Sequence, residues 1–316
     1  LSRYTSSEEI ISAAGLTHVH LLPTFQFAGV EDEKYKWKCA DDPIECWISP
    51  GVSHRSLAIH ILGIVAANNS IALTDTLVLE SLPPASAEQQ AHITAIQNED
   101  GYNWGYNLVL WGVPKGSYAS NPTGPSRIVE FRKMVQGLNR IGLRVVLVVV
   151  YNHVHGSSPF DENYVLDKIV PGYYLRRNTD GFIEHSTCVN NTASEHVMVE
   201  RLILDGLLSW AVHYKVDGFW FDLMGHLMKR TMVKAKSMLH GLLKEKNGVD
   251  GSSIYIYGEG WDFGEVTKNG RGINAAQFNL HGTGIGSFKD RIRDALLGGS
   301  PFGHPLQQGF VTGLSL

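Results

Sequence analysis

The sequence is poor in charged residues, and the two signs nearly balance. Asp, Glu, Lys and Arg make up 18% of the 316 residues, and 31 acidic against 27 basic side chains leave a net charge of −4. A chain without a basic surplus lacks the charge that binds a nucleic-acid backbone, so we expect no nucleic-acid partner. Hydrophobic residues make up 43%, which is typical of a globular protein and not of a disordered one.

The sequence also has no hydrophobic run long enough to cross a lipid bilayer. The longest candidate, residues 57–67, is interrupted by His60 and Gly63 and is far shorter than the roughly 20 apolar residues of a membrane-spanning helix. We therefore expect no membrane partner. The start of the chain lacks the pattern of a signal or transit peptide, and Leu1 in place of Met indicates a fragment.

Cysteine is scarce, and no cluster has the spacing of a metal site. Cys39, Cys46 and Cys188 form an odd set without metal-ligand spacing, so we expect free thiols in a reducing compartment. His18 and His20 share one face of a predicted strand, but no third ligand accompanies them. We interpret this pair as structural, and the residues by themselves indicate no metal site.

What the sequence does contain is a steady alternation of strand-like and helix-like segments. This alternation predicts an α/β fold with a parallel sheet, and strands that end in polar groups favour a (β/α)8 TIM barrel over an open sheet. Residues 43–77 have few charges and no period, which predicts an insertion or irregular excursion within a single barrel domain that spans residues 1–316. The predicted helices are 7–14, 86–98, 126–139, 195–213, 224–245 and 287–296. The predicted strands are 17–23, 144–150, 218–222, 254–258 and 272–278.

Two neighbouring strands of the predicted barrel each end in a carboxylate, Asp222 and Glu259. Carboxylates on adjacent strand ends can lie about 5 to 5.5 Å apart, the spacing at which a retaining glycosidase attacks the sugar with one and protonates the leaving oxygen with the other. Spacing alone leaves open the alternative that both acids cap helices or form ion pairs. His153 follows the end of another predicted strand. The sequence leaves open whether it is a site residue or a hydrogen-bonded structural residue. The aromatic residues that suit stacking on sugar rings here are Trp104, Tyr106, Trp261 and Phe263.

Four segments in order carry a resemblance to a known family. They are 102–107 (Tyr-Asn-Trp-Gly-Tyr-Asn), 150–153 (Val-Tyr-Asn-His), 218–226 (Gly-Phe-Trp-Phe-Asp-Leu-Met-Gly-His) and 257–263 (Tyr-Gly-Glu-Gly-Trp-Asp-Phe). From about residue 15 to the end, residues 43–77 excepted, the chain resembles the starch-debranching members of the α-amylase clan, glycoside hydrolase family 13. The nearest resemblance is to the plant limit-dextrinase type of pullulanase.

The resemblance implies a role for each matching residue. Asp222 corresponds to the nucleophile and Glu259 to the acid/base. Tyr106 corresponds to the platform for the sugar under attack, and His153 to a group that binds a sugar hydroxyl. The further substrate contacts expected from the motifs are Trp104, His226, Trp261 and Phe263.

The resemblance also implies an activity and a location. The expected reaction is retaining hydrolysis of α-1,6-glucosidic linkages in pullulan and amylopectin-derived limit dextrins, inside plastids. The expected partner is the α-glucan substrate alone, and the complete protein is expected to be a monomer. Relatives carry a structural calcium ion, but we find no ligand set for one in this sequence.

The sequence departs from the family pattern at three positions and at its end. Trp220 stands where the family has an arginine two residues before the nucleophile, and a cation there would keep the carboxylate ionised and oriented. Val148 replaces an aspartate, and Leu108 replaces a proline. By resemblance, the first barrel strand, the last two strands, the flanking β-domains and the third catalytic carboxylate lie outside this chain.

These departures leave two hypotheses. The first is a debranching glycosidase represented by a partial or altered chain, with impaired activity. The alternative is a catalytically inactive glucan-binding remnant or degenerate gene product. Turnover of pullulan would support the first, and binding of maltodextrin without turnover would support the second.

Overall fold

The computed structural model describes residues 15–37, 82–83, 85–96, 100–158, 160–300, 303–304 and 307–313. Its strands are β1 (His18–Leu21), β2 (Phe25–Phe27), β3 (Leu108–Pro114), β4 (Arg144–Val149), β5 (His153–Val154), β6 (Asn190–Asn191), β7 (Gly218–Phe221), β8 (Tyr255–Gly258) and β9 (Gly286–Ser287). Its helices are α1 (Ala87–Ile96), α2 (Ser126–Arg140), α3 (Leu166–Ile169), α4 (Val197–Tyr214), α5 (Lys229–His240), α6 (Lys244–Asn247) and α7 (Asp290–Leu297).

The main sheet has five strands in the order β1, β4, β7, β8, β9. Every neighbouring pair in it is parallel, as the β–α alternation predicts. In the described ranges this sheet is open and not a closed barrel. Val149 pairs with Phe221 and Phe221 with Gly258, so the ends of β4, β7 and β8 lie side by side at one edge of the sheet.

Apart from Arg144, the first residue of β4, the central strands β4 and β7 are apolar because helices and loops cover both faces. The last five residues of β4 and all four residues of β7 are buried, which is the pattern expected of a parallel sheet. From α4, Trp210 stacks on Phe25 with 4.7 Å between the ring centroids. Gly206 of α4 packs closely against Tyr151. A Cβ added at this position would lie 3.1 Å from the Tyr151 hydroxyl oxygen. A glycine that weakens an isolated helix thus permits the close packing of helix against sheet.

Four predicted strands and four predicted helices are confirmed within a few residues. The strands 17–23, 144–150, 218–222 and 254–258 correspond to β1, β4, β7 and β8, and the helices 86–98, 126–139, 195–213 and 287–296 correspond to α1, α2, α4 and α7. The predicted helix 7–14, the insertion 43–77, Cys39 and Cys46 lie outside the described residues. None of the helices described is long and apolar enough to cross a membrane.

The predicted helix over 224–245 is wrong in its bounds. Met224–His226 is a single 3-10 turn, and the backbone at Met228 is extended, so α5 begins only at Lys229. The helix ends at His240, and α6 is a separate short helix.

The predicted strand over 272–278 is also wrong. Its backbone bonds go to loops and not to β8, since Ala275 N donates to Leu227 O at 2.8 Å and Gln277 N to Gly260 O at 2.9 Å. The strand that pairs with β8 on the side away from β7 is β9. This segment is a partly buried connecting loop. Its composition resembles that of a strand, but its backbone does not pair with a strand of the main sheet.

The antiparallel pair β2 and β3 was not predicted from the sequence. β2 has only three residues, and β3 contains Gly112 and ends at Pro114, so neither run has a clear strand pattern. Lys115 follows β3, and its buried Nζ bonds to Phe27 O at 3.0 Å, Val30 O at 2.6 Å and Asp32 Oδ1 at 2.7 Å. This antiparallel pair supports residues 100–107, since Ala28 N donates to Asn107 O at 2.8 Å.

Candidate active site

Asp222 is held at the end of β7 by the neighbouring strand. Its backbone N donates to Val149 O at 3.0 Å. The Nδ2 atom of Asn152, just beyond β4, donates both to the Asp222 backbone O and to its carboxylate Oδ2, each at 2.8 Å. The side chain is thereby fixed in orientation, and the residue is only 9% exposed.

Glu259 follows β8 and is tied to the loop that leaves β7. Its backbone N donates to Phe221 O at 3.1 Å, and its backbone O accepts from Gly225 N at 2.9 Å. Its carboxylate Oε2 accepts from Leu223 N at 3.0 Å. Leu223 has φ 40° and ψ 46°, a left-handed conformation that is unfavourable for leucine. This local strain lets the residue after Asp222 turn its N–H toward the second carboxylate.

Two glycines allow these loops to approach each other. A Cβ added to Gly225 would lie 1.9 Å from Trp261 O, and one added to Gly258 would lie 2.4 Å from Phe221 O. A substituent at either position would push the two strand ends apart, so both glycines are required by the close approach.

The two carboxylates and Tyr106 lie close enough to influence one another electrostatically. Burial raises the pKa of Asp222 to about 7, with the hydrogen bond from Asn152 opposing the rise and Glu259 adding to it. Burial, followed by the charges of Asp222 and Glu259, raises the pKa of the Tyr106 hydroxyl to about 12. The structure therefore brings together the three residues to which the family motifs assign nucleophile, acid/base and sugar platform.

The raised pKa of Asp222 predicts a pH-dependent stability. The folded protein holds this proton more tightly than the unfolded chain does, so the free energy of unfolding should fall as pH rises from about 4 to about 7. Asp222→Asn, which keeps an oxygen acceptor for Asn152, should remove this slope and be more stable than wild type at pH 8 by roughly 2–4 kcal/mol. Urea unfolding at pH 4, 6 and 8 measures it, and equal slopes in the two proteins would contradict the expectation.

His153 is buried and contacts two oxygens of the same site. Its Nδ1 lies 2.5 Å from Asn152 Oδ1 and its Nε2 lies 2.9 Å from Tyr106 O, while burial lowers its pKa. Through Asn152 the ring orients Asp222, and through the Tyr106 carbonyl it positions the sugar platform. A sugar hydroxyl could bind to the ring only by replacing one of these contacts.

The buried His226 ring packs edge to face against the partly buried ring of Phe263. Their ring centroids are 4.5 Å apart, and neither ring nitrogen of His226 has a hydrogen-bond partner among the described residues. Burial lowers the pKa of His226 to about 4, although Glu265 opposes the shift, so the ring is neutral at pH 7. His226 is 1% exposed, and the substrate contact predicted for it would require an opening of this pocket.

Trp261 faces the open side of the site. It lines a cleft of about 230 Å³ together with Glu259, Phe288 and Arg293, and the Arg293 guanidinium lies 5.7 Å from the centroid of its ring. Trp104 lies in the loop before Tyr106 and is 58% exposed. Both tryptophans are thus reachable by a ligand.

A buried ionic cluster that the sequence did not predict joins the loops of this site. The Arg176 guanidinium is bonded to the carboxylates of Glu195 and Glu265, each at 2.8 Å, to Ser194 Oγ at 3.4 Å and to His226 O at 3.1 Å. Burial alone would raise the pKa of Glu265, but hydrogen bonds led by those of Ser186 and Arg176 outweigh it and lower that pKa to about 2. No local pattern signals this cluster, because its members are up to 89 residues apart.

A structural calcium ion would need several oxygen ligands around one point. The described residues contain no group of three or more His, Cys, Asp and Glu side chains that could hold a metal. The oxygen-lined space between Glu195, Glu265 and the His226 carbonyl is already filled by the Arg176 guanidinium.

Cys188 is a further residue to which the sequence assigned no role. It is exposed, and burial of its thiol, followed by the charges of Asp222 and Glu259, raises its pKa. The loop between β5 and β6 thus comes within electrostatic reach of the two carboxylates.

Comparison with known proteins identifies the relatives of this chain. No protein-family model matches it. Pullulanase 1, chloroplastic, of Arabidopsis thaliana is 67% identical over 303 residues, which is 96% of this chain and 28% of that protein. The chain is a pullulanase homologue. The pullulanase of Klebsiella aerogenes is 39% identical over 309 residues, 96% of this chain and 27% of that protein.

Solved pullulanase structures share the fold. PulA from Klebsiella oxytoca superposes with a TM-score of 0.79 at 38% identity, over 95% of this chain and 28% of that one. The maltotriose complex of PulA from Klebsiella pneumoniae gives a TM-score of 0.78 at 38% identity, over 95% of this chain and 31% of that one. This pullulanase homologue therefore spans less than a third of the length of these relatives.

Proposed function

We propose that this chain is the central part of the catalytic domain of a starch-debranching glycoside hydrolase. The observation that carries the proposal is the placement of Asp222 and Glu259 at the ends of the adjacent parallel strands β7 and β8, both in electrostatic contact with Tyr106. The five parallel strands are part of a (β/α)8 barrel whose remaining strands lie outside this chain, and residues 1–316 form one partial domain with an insertion at 43–77.

The reaction is retaining hydrolysis of α-1,6-glucosidic linkages in pullulan and limit dextrins. A carboxylate oxygen of Asp222 forms a bond to the anomeric carbon while Glu259 donates its proton to the departing glycosidic oxygen. Glu259, now ionised, then takes a proton from water, and the resulting hydroxide equivalent cleaves the glucosyl ester and releases Asp222. Asn152 and the Leu223 N–H hold the two carboxylates in place for these steps.

The partner of this chain is an α-glucan, and its location is the plastid, as the name of the chloroplastic relative suggests. Tyr106, His153, Trp261 and Phe263 are assigned to substrate binding around the scissile bond, with Trp104 and His226 as further contacts. The complete protein acts as a monomer.

Binding of maltotriose tests the site without depending on turnover, since a relative has been solved with this ligand. Tyr106→Ala should weaken the affinity at least about tenfold, because the platform for the bound sugar is lost. Tyr118→Ala, which removes a tyrosine that is 53% exposed outside the site, should have no effect. Isothermal titration calorimetry measures both, and a wild-type chain that does not bind maltotriose would contradict the proposal.

A non-catalytic glucan-binding protein is the second candidate, and one observation favours it. Trp220 gives Asp222 no cation, and the pKa of this carboxyl is about 7, so much of it is protonated at neutral pH. Release of reducing ends from pullulan decides between the two. Turnover that Asp222→Asn and Glu259→Gln each abolish supports the hydrolase, and maltotriose binding without turnover supports the binding protein.

A further inference from the structure

A groove between α2 and the end of α4 carries charge of one sign. It has a volume of about 650 Å³, and its charged lining residues are Arg132, Lys133, Arg140 and Lys215. None of the described acidic side chains lines it. A cleft lined by charges of one sign concentrates the electrostatic potential and attracts ions of the opposite sign. The volume lies within the range of small-molecule sites, about 300–1,000 Å³. We name this feature the basic groove.

The three cations of α2 are not neutralised within the described part of the chain. Arg132, Lys133 and Arg140 form no ion pair or hydrogen bond with another described residue. Arg140 is in the last turn of α2, where the helix dipole favours a cation. Arg132 and Lys133 lie about two turns before the end of the helix, beyond the reach of that effect. The helix terminus therefore does not explain their presence.

A fourth cation approaches Arg132 from α4. Burial, followed by the charge of Arg132, lowers the pKa of Lys215, so the two like charges are within electrostatic reach of each other. Lys215 Nζ donates to Asn247 O at 2.8 Å, which fixes its position and leaves its charge without a carboxylate. An anion bound between Arg132 and Lys215 would relieve their repulsion.

Two acids adjoin the basic groove but bond outside it. The Glu130 carboxylate accepts hydrogen bonds from Ser120 N, at 2.8 Å, and from the Ser120 hydroxyl. Asp217 Oδ2 accepts from Val145 N at 2.8 Å and from Asn139 Nδ2 at 3.1 Å. These bonds keep both carboxylates out of the groove, so its positive potential is not cancelled from within.

Tyr214 adds an unpaired hydrogen-bond donor to the lining. It is only 5% exposed, and its ring stacks on Trp210 with centroids 4.3 Å apart and meets Phe131 edge-on at 5.5 Å. Its hydroxyl has no hydrogen-bond partner among the described residues. Burial raises the pKa of this hydroxyl although Arg132 opposes the rise, so the O–H is retained at pH 7. A fixed, buried donor beside cations suits the oxygen of an anionic ligand.

The basic groove is separate from the candidate active site. Arg140 and Lys215 shortly precede the first residues of β4 and β7, so the groove lies near the edge of the sheet where these strands begin. Asp222 and Glu259 follow the last residues of β7 and β8, at the opposite edge. A ligand in the groove would therefore not occupy the space between the two carboxylates.

We propose that the basic groove binds a small molecule that carries two phosphate groups, of the size of a sugar bisphosphate. Arginine binds phosphate oxygens in a bidentate manner. Arg132 and Arg140 are separated by about 12 Å along the helix axis, so a single phosphate is too small to contact both ends of the groove. One phosphate binds between Arg132, Lys215 and the Tyr214 hydroxyl, and the second binds toward Arg140. The inference does not depend on the proposed function.

Calorimetry on the whole 316-residue chain tests this inference. The ligands are glucose 1,6-bisphosphate, glucose 6-phosphate and inorganic phosphate, and wild type should bind the bisphosphate most tightly. Arg132→Gln should weaken binding of the bisphosphate about tenfold, because a charged hydrogen-bond donor is lost. Arg291→Gln is the matched control. It removes another exposed arginine of a helix, α7, that has no bonded partner among the described residues, and it should leave the affinity unchanged.

A second variant tests the buried donor. Tyr214→Phe keeps the ring packing and removes only the hydroxyl, so it should weaken the bisphosphate by a smaller factor than Arg132→Gln does. The proposal is overturned if wild type binds none of the three ligands, if it binds all three equally, or if Arg132→Gln and Arg291→Gln weaken binding equally. Binding of a polyaspartate peptide that Arg132→Gln weakens, without binding of the bisphosphate, would indicate an acidic protein partner and would also overturn it.

Discussion

Replacing Trp220 by arginine is expected to raise the rate of pullulan hydrolysis by about 10²-fold. Trp220 is two residues before Asp222 on β7 and therefore on the same face of the strand. It is 8% exposed, its indole Nε1 has no hydrogen-bond partner in the described ranges, and its ring lies edge-on to His20 at 5.6 Å. An arginine here would place a cation beside the carboxylate in a site of low dielectric constant.

The size of the effect cannot come from ionisation alone. With a pKa of about 7, roughly half of the Asp222 side chains are ionised at pH 7, so complete ionisation would gain only about twofold. A neighbouring cation lowers a carboxyl pKa by about 1–3 units, so the gain should grow as the pH is lowered to 5.5. The larger part of the increase is expected from orientation of the nucleophile and from stabilisation of charge in the transition state.

The measurement is made in the context of the longer relatives, of which this chain matches less than a third. We expect the unmodified chain to show little turnover, and the comparison is made after fusing the flanking segments of the Arabidopsis relative. Trp220→Arg should then be active, Trp220→Gln should remain weak because it adds no charge, and Asp222→Asn should abolish the gain. Full activity of the unmodified chain, which carries Trp220, would contradict this expectation. A pH profile that Trp220→Arg leaves unchanged would contradict it as well.

Removing Arg176 is expected to cost about 3–5 kcal/mol of unfolding free energy. The Arg176 side chain is 1% exposed and forms ion pairs with Glu195 and Glu265, whose side chains are 20% and 8% exposed. Arg176→Met retains much of the volume but leaves two carboxylates without their shared cation. Their desolvation is then uncompensated, which is the costly way to break a buried ion pair.

A matched control distinguishes the effect of burial on stability from the effect of losing an ion pair. Arg201 pairs with Asp205 at 2.6 Å in α4, but both side chains are more than half exposed, so Arg201→Met should leave stability close to wild type. Urea unfolding of both variants at pH 7 provides the comparison. Adding Glu195→Gln and Glu265→Gln to Arg176→Met should restore part of the loss, and equal effects at positions 176 and 201 would contradict the argument.

Local pattern predicted the elements that carry the two acids. The apolar runs of β4 and β7 and the amphipathic segment of α4 are signals that a short window contains. Because adjacent parallel strands end at the same edge of a sheet, the order β7, β8 also predicted that Asp222 and Glu259 would be neighbours. The motifs around these strands identified the family, and the pullulanase relatives bear that out.

Other features depended on pairing between distant segments. The antiparallel pairing of β2 with β3 joins residues more than 80 apart in the chain. The run over 272–278 has strand-like composition, but its backbone bonds to loops. Only the tertiary structure decided these cases, since an edge strand and a buried connection differ in what lies beside them and not in their own residues.

The chemical state of the site was likewise decided by the tertiary structure. The sequence by itself determined which carboxylates end the strands, because that depends on residue identity and strand period. The pKa of Asp222 depends on burial and on Asn152, 70 residues away, and the Arg176 cluster joins residues up to 89 apart. Desolvation and long-range hydrogen bonds arise only when the chain folds, and so no local window of sequence contains them.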